Sequence, residues 1–307
     1  MSYEKKAFLT GATGFAGFHL AKKLLEKGWK LQLLVRKNSD ASKLKRLAAP
    51  FALYPYDGTT EGLVKTMGEA SPEVVFHLAA CAVLDHEPGD VENLIRSNVL
   101  LGCQLLEGMR QAGISYFINA GSFWQHDESE TYHPANLYAA TKQAFMDILR
   151  YYTESSSIRA LTLKLFNVYG PEDERDKLFT LWDKAFKTGQ PLPMSPGEQL
   201  IDFVYIDDAT EAFCHAAKLI KSSRPGELRE SYAVSSQEPI SLKEAARLYQ
   251  QVTGRNLKLL WGERPYRRRE VMVPWKGNPL PGWNPSVDLA TGIRLTVEHD
   301  PIKTAAR

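Results

Sequence analysis

Thr10-Gly11-Ala12-Thr13-Gly14-Phe15-Ala16-Gly17 joins an apolar run, residues 7–10, to a helical pattern over residues 15–27. It therefore reads as a strand, a glycine-punctuated loop and a helix start. Glycines at Gly11, Gly14 and Gly17 let a pyrophosphate approach backbone N–H groups at the positive end of that helix. Working outward, short apolar strands are expected at 31–36, 52–56, 74–78, 117–120 and 161–166, with helices at 60–68, 90–112 and 137–154. This alternation predicts an α/β fold, a doubly wound parallel sheet with right-handed crossovers.

After Gly170-Pro171 the pattern loosens, with Pro and Gly clustered at 190–197 and again at 274–285. A strand at 202–206 and a helix at 207–221 predict a return to the first sheet. Ser241-Leu242-Lys243-Glu244 is a capping-box match that opens another helix. The expected organisation is a dinucleotide-binding domain over 1–170 with 202–222 returning to it, and a smaller α/β substrate lobe from 171–201 and 223–307.

A second constellation lies at Leu137-Tyr138-Ala139-Ala140-Thr141-Lys142. Four residues apart on a helix, a phenol and an ammonium share a face, and the cation favours the phenolate. Such a pair is acid/base hardware. Leu137, Ala140, Ala144, Phe145, Ile148 and Leu149 form an apolar stripe behind Asn136 as N-cap, and Tyr138 and Lys142 fall off that stripe.

Composition narrows the class. The 307 residues carry 38 basic and 36 acidic side chains, a formal charge of +2, so no broad field exists to hold nucleic acid or an anionic bilayer. Cys81, Cys103 and Cys214 are widely spaced and lack metal-ligand spacing, and the histidines share no such pattern with carboxylates. No apolar stretch approaches the roughly 18 to 20 residues a membrane span needs, and the residues after Met1 do not read as a leader. The expectation is a soluble cytoplasmic protein with no metal.

Gly11-x-x-Gly14-x-x-Gly17, Tyr138-x-x-x-Lys142, His77-Leu78-Ala79-Ala80, Ser97-Asn98, Leu165-Phe166-Asn167-Val168-Tyr169-Gly170-Pro171, the Asp202–Asp208 run and Gly282-Trp283-Asn284-Pro285 occur in one order along the chain. Together they resemble the extended short-chain dehydrogenase/reductase family, in its nucleotide-sugar epimerase, dehydratase and reductase branch. The resemblance implies a Rossmann-type sheet and a catalytic triad of Ser122, Tyr138 and Lys142. Tyr138 would exchange the proton of a C–OH/C=O group, Lys142 would lower its pKa and hold the nicotinamide ribose, and Ser122 would orient the reacting oxygen. Thr13, Phe15, Leu78, Ala79 and Ala80 would line the cofactor site beside the glycines. Asn98 matches a family asparagine that steadies the site's backbone, or is a helix-surface amide. Asp57, with Gly58, matches the family's adenine-contacting acid and equally suits turn chemistry.

About 20 residues past the glycines, NAD-specific sites offer a carboxylate to the ribose. Here the stretch is Leu34-Val35-Arg36-Lys37-Asn38-Ser39, with no acid. Arg36, Lys37 and Ser39 would instead hold a 2′-phosphate, so NADP(H) is expected over NAD(H).

Two departures from the family pattern shape the expected activity. Related 4,6-dehydratases carry Asp-Glu after the serine, because eliminating water needs a further acid and base; Phe123-Trp124 stand there in this chain. Ile201 occupies a position where relatives often place an arginine, and Arg267-Arg268-Arg269 is the run that could compensate, unless it is a solvated face. Asn167, Arg267 and Arg269, with Phe123 and Trp124, are the expected substrate contacts. The resemblance is strongest to the group of CDP-abequose and CDP-paratose synthases, and implies NADPH-dependent reduction of a keto group on a nucleotide-activated deoxysugar. The alternatives are a nucleotide-sugar 4-epimerase with tightly held NAD, and a non-catalytic dinucleotide sensor. Homodimerisation through the helices at 90–112 and 137–154 is a further family expectation.

Overall fold

A computed structural model describes residues 5–298 of the chain. The first half runs β1 (Lys6–Thr10), α1 (Phe15–Glu26), β2 (Lys30–Arg36), β3 (Phe51–Tyr56), α2 (Thr60–Ala70), β4 (Val74–His77), α3 (Val91–Ile95), α4 (Leu101–Ala112), β5 (Tyr116–Ser122), α5 (Leu137–Ser155) and β6 (Arg159–Leu165). Then follow β7 (Asn167–Tyr169), α6 (Leu178–Thr188), β8 (Leu192–Met194), β9 (Leu200–Ile201), β10 (Phe203–Tyr205), α7 (Ile206–Ser222), β11 (Ser231–Val234), β12 (Ile240–Ser241), α8 (Leu242–Thr253), β13 (Leu259–Trp261) and α9 (Leu289–Glu298).

Seven strands pair in parallel in the order β11-β6-β5-β4-β1-β2-β3. The order reverses between β1 and β4, and at that switch point the carboxyl ends of the strands frame a crevice. β1 and β4 are buried on both faces, with Ala7, Phe8, Leu9, Val74, Val75 and Phe76 all sealed from solvent, as a sheet covered by helices requires. α2 and α4 close one face, where Gly108 lets Met67 approach and Gly102 receives the ring of Phe145. α1 and α7 close the other.

The structure departs from the sequence expectation in three places. The helix expected over 90–112 is interrupted: α3 and α4 are joined by one wider π turn, Arg96–Leu100. That turn carries Asn98, whose side chain is buried and bonded to two other segments. The strand at 203–205 pairs with β7 in a two-stranded sheet of its own rather than with the main sheet. The strand that does extend the main sheet is β11, from the segment the sequence reading gave to the second lobe, with Ser231 to Val234 alongside Thr162 to Leu165.

A separate apolar cluster serves the C-terminal elements, built on Trp182, Tyr249, Phe179 and Tyr169. Two aspartates tie these elements back to the sheet. Asp202 accepts from Ser235 Oγ (2.7 Å) and the Ser236 N–H (2.8 Å), and Asp208 accepts from Ser286 and the Val287 N–H. Among the described residues no helix is long and apolar enough to cross a membrane.

Candidate active site

The glycine loop is held by contacts that only glycine allows. Gly11 has φ of 79°, and a Cβ there would lie 2.7 Å from the Ala79 nitrogen. A Cβ on Gly17 would overlap the Gly11 carbonyl oxygen. The loop therefore folds tightly onto the end of β4, and α1 begins beneath it with no acidic residue in its first turn and no side-chain cap. The first intrahelical bond reaches only the Phe18 N–H, which leaves the N–H groups of Phe15, Ala16 and Gly17 without helical partners. The Phe15 ring itself is buried under the Arg175 guanidinium, 4.5 Å from its centroid.

A cleft of about 210 Å³ opens above this loop, lined by Gly11, Thr13, Gly14, Arg36, Ser39, Leu78, Ala79 and Ala80 among others. These are eight of the expected cofactor residues, drawn from the ends of β1, β2 and β4. Lys37, Asp57 and Gly58 do not line it. Asp57 is exposed, and its Oδ1 accepts from the Thr59 N–H (2.8 Å) and hydroxyl (3.0 Å), which is turn chemistry. Gly58 offers its carbonyl to Gln104. Lys37 is exposed beyond the strand end, and Arg36 with Ser39, 3.4 Å apart, lines the cleft there.

Asn98 is the hub between this cleft and helix α5. Its carboxamide oxygen accepts from the Cys81 N–H (2.7 Å), and its NH₂ donates to the Cys81 carbonyl (3.0 Å) and to Thr141 Oγ1 (2.9 Å). Thr141 donates in turn to the Tyr138 carbonyl (2.7 Å). One buried amide thus fixes the loop after β4 against the helix that carries Tyr138 and Lys142. A helix-surface amide could not do this, and the π turn is what swings Asn98 inward.

Ser122 ends β5 and caps the short 3₁₀ turn Phe123–Gln125, accepting from the Trp124 N–H (3.3 Å) while Gln125 Oε1 accepts from the Ser122 N–H (3.0 Å). Ser122 lies close enough to Tyr138 for its side chain to act on the phenol. Tyr138 keeps some exposed surface, yet protein packs densely about the phenol and burial pushes its pKa up to about 12. Ser122 and the charge of Arg175 act against that rise, whereas Lys142, expected to lower the phenol's pKa, is not among the groups that do so. Lys142, one turn on, is buried, and its Nζ has no hydrogen-bond partner. Burial depresses its pKa to about 8. Burial first, and then the Lys142 charge, hold the neighbouring His77 ring at about 3, neutral and bonded through Nδ1 to Thr10 Oγ1 (2.8 Å).

An orphaned buried ammonium, a glycine cradle that a Cβ would fill and a run of free helix N–H groups fit a dinucleotide. Its pyrophosphate suits the α1 N-terminus and its ribose hydroxyls suit Lys142.

The expected substrate residues are divided by the structure. Phe123 is a correction: it is buried and stacks on Phe166 with centroids 4.9 Å apart, so its ring is core. Trp124, the next residue on the turn, keeps exposed surface. Asn167 opens β7 and donates to the Asp202 carbonyl. Arg267 reaches across to Asp85 in the loop after β4 (3.0 Å). Arg269 bonds Asp127 (3.1 Å) and His133 in the loop after β5, which makes it a strap between segments rather than a free contact.

Two residues that sequence reasoning passed over as a site complete the picture. Arg175 pairs with Asp173 (2.6 Å), donates to the Val168 carbonyl (3.1 Å) and projects its charge onto Tyr138. Lys177 is depressed by burial, then by the charges of Arg175 and Arg267. Three cations thus share one region beyond the phenol. Their signal was hidden in the alternating charges of Asp173-Glu174-Arg175-Asp176-Lys177, which look like an ordinary solvated loop.

Comparison with known proteins agrees with this architecture. The sequence model of the NAD dependent epimerase/dehydratase family matches residues 7–233. The chain is 29% identical over 268 residues to a CDP-abequose synthase of Yersinia pseudotuberculosis, covering 87% of this chain and 90% of that one. It is 24% identical to the CDP-abequose synthase of Salmonella muenchen, covering 96% and 97%. In structure it is similar to the UDP-glucuronic acid 4-epimerase of Bacillus cereus in complex with UDP-glucuronic acid and NAD, with a TM-score of 0.85 at 23% identity and coverage of 98% and 99%. The UDP-glucose 4-epimerase of Thermotoga maritima with UDP-glucose gives a TM-score of 0.84 at 21% identity, covering 98% and 100%.

Proposed function

The chain belongs to the NAD dependent epimerase/dehydratase family, and from that premise we propose that it reduces a keto group, at C4, on a nucleotide-activated deoxysugar with NADPH. The observations that support this reading are Tyr138 near Ser122, the unpartnered buried ammonium of Lys142 one helical turn on, and a cleft lined by Arg36 and Ser39 and by no carboxylate. Bound NADPH supplies the hydride. Tyr138 donates the proton to the substrate oxygen, which Ser122 orients. A phenol that stays protonated at neutral pH suits the reductive direction. Lys142 holds the nicotinamide ribose, and Arg36 with Ser39 holds the 2′-phosphate. Asn167, Arg175, Lys177 and Arg267 gather at the substrate's diphosphate, in place of the arginine that Ile201 replaces.

Phe123 and Trp124 support reduction over dehydration, since neither can move a proton. The CDP-abequose synthase relatives support a deoxysugar nucleotide as the substrate class. A second reading, a 4-epimerase that retains NAD, is favoured by relatives named as UDP-glucose 4-epimerases at 24% and 25% identity. Oxidation of NADPH, followed by absorbance with CDP-, dTDP-, GDP- and UDP-linked 4-ketosugars, separates the two. Consumption with at least one of them is expected. Purified protein that already carries NAD and interconverts 4-epimers without consuming NADPH would favour the epimerase. A cytoplasmic homodimer is part of the same reading. Val91, Ile95, Leu100 and Tyr151 expose apolar surface on α3, the π turn and α5, and light scattering at twice the chain mass is the expected result.

A further inference from the structure

A cavity of about 260 Å³, larger than the cofactor cleft, opens at the other end of the sheet, by the amino ends of β6 and β11. Ligands of doubly wound sheets bind at the carboxyl ends, so this cavity has no part in the site above. Met146 of α5, Ile158 and Leu228 give it an apolar floor. Arg150, Arg159, Arg224 and Arg229 surround that floor, with Glu230 as the one carboxylate.

The charges do not cancel. Arg150 binds Glu230 with two hydrogen bonds of 2.8 Å each, and so satisfies the carboxylate alone. Arg159 is anchored by donation to the Ser223 carbonyl (2.6 Å) and lies over the Tyr116 ring. The guanidiniums of Arg224 and Arg229 make no hydrogen bond or ion pair among the described residues. Three guanidiniums therefore line the cavity without an ion pair, the nearby Glu227 carboxylate being bonded to the Arg224 N–H. A single carboxylate would answer one of them, whereas a phosphate ester or polyphosphate matches planar guanidinium forks and carries two or more charges. The apolar floor adds a demand for a hydrophobic body beside the phosphate.

We propose that this cavity is a second binding site, for an organic phosphate of the nucleotide class, separate from the cofactor and substrate cleft. Met146 supplies a local reporter, because its side chain forms the floor while its Sδ accepts from Gln125 (3.3 Å). Protein labelled with ¹³C at the methionine methyl groups and saturated with NADP⁺ is titrated with ATP, with AMP and with inorganic phosphate. ATP is expected to move the Met146 methyl resonance saturably, assigned by its loss in Met146→Leu, and Arg224→Ala/Arg229→Ala is expected to weaken that response at least tenfold. Both arginines are exposed, so the double variant should fold and keep its NADP⁺ affinity. A Met146 signal indifferent to ATP, or a response unchanged in the double variant, overturns the proposal. Inorganic phosphate that shifts Met146 as strongly as ATP also overturns it, because the apolar floor would then select nothing.

Discussion

Lys142→Met is expected to make the dinucleotide-free protein more stable while weakening its hold on NADPH. The side chain is about 2% exposed and its ammonium has no partner, so burial is uncompensated and moves its pKa from 10.5 to about 8. Below pH 8 both folded and unfolded chains carry the charge, and the folded state bears the full cost, roughly 3 kcal/mol. Between about pH 8 and 10.5 the folded protein has lost the proton and the unfolded chain has not, so stability rises with pH; above 10.5 the cost is gone. Methionine keeps the volume and removes the charge. At pH 7 the variant should gain up to about 3 kcal/mol by urea unfolding, or several degrees in melting temperature. Its advantage should shrink as pH rises through that window. Lys164 is lowered to about 8 by burial as well, so only the difference between wild type and variant isolates Lys142. Adding NADPH at a hundred times its Kd should stabilise the wild type by about 2.7 kcal/mol and the variant by clearly less. A variant less stable than wild type at pH 7 would refute the cost of the orphaned ammonium, and one stabilised equally by NADPH would refute its assignment to the ribose.

Tyr138→Phe should cut turnover by two to four orders of magnitude, as loss of a general acid does, with NADPH affinity by fluorescence titration within about twofold; full activity would remove the phenol from the reaction. Arg36→Ala should weaken NADPH by roughly 1.5–3 kcal/mol, tenfold or more, and NADH far less; equal losses for both would end the 2′-phosphate assignment. Gly17→Ala places a methyl on the Gly11 carbonyl, so calorimetry should show dinucleotide binding abolished or weakened at least a hundredfold, and unaltered affinity would mean the loop yields freely.

The parallel sheet was legible because each of its first six strands is a local event, an apolar run bounded by turn signals. The seventh was not. Ser231-Tyr232-Ala233-Val234 is short and follows Arg229 and Glu230, and only its pairing with β6 makes it a strand. The partner of β10 was hidden for a similar reason, since a strand pattern does not name its neighbour. The π turn at Asn98 serves bonds to Cys81 and Thr141, and distant partners leave no mark on helical periodicity. In the site, Gly11 could be read as a loop glycine from the strand before it and the helix after it, and Tyr138 and Lys142 as neighbours on one helix face, whereas Ser122 came only with the family resemblance. Phe123 and Trp124 could not be told apart by type, because the 3₁₀ turn after Ser122 decides which ring enters the core. Arg175 and Lys177 stayed hidden because a charged loop looks the same whether it faces solvent or a cleft.

Where positive charge lies uncompensated bears on what the site is for. Arg36 lines the cleft, and Lys142 holds a buried ammonium without a partner. Both would serve a protein that only sensed a dinucleotide. Arg175, Lys177 and Arg267 form a second group of cations, in which Arg175 is paired with Asp173 and lies over the Phe15 ring, Arg267 is paired with Asp85, and Lys177 is lowered by burial and by both arginines. Of the three, Lys177 is left without an ion pair among the described residues, and its burial near two guanidiniums costs stability. On the reading proposed above, the diphosphate of a second ligand would answer that charge. A bimolecular hydride transfer requires such a second ligand, and a protein that only senses a dinucleotide does not.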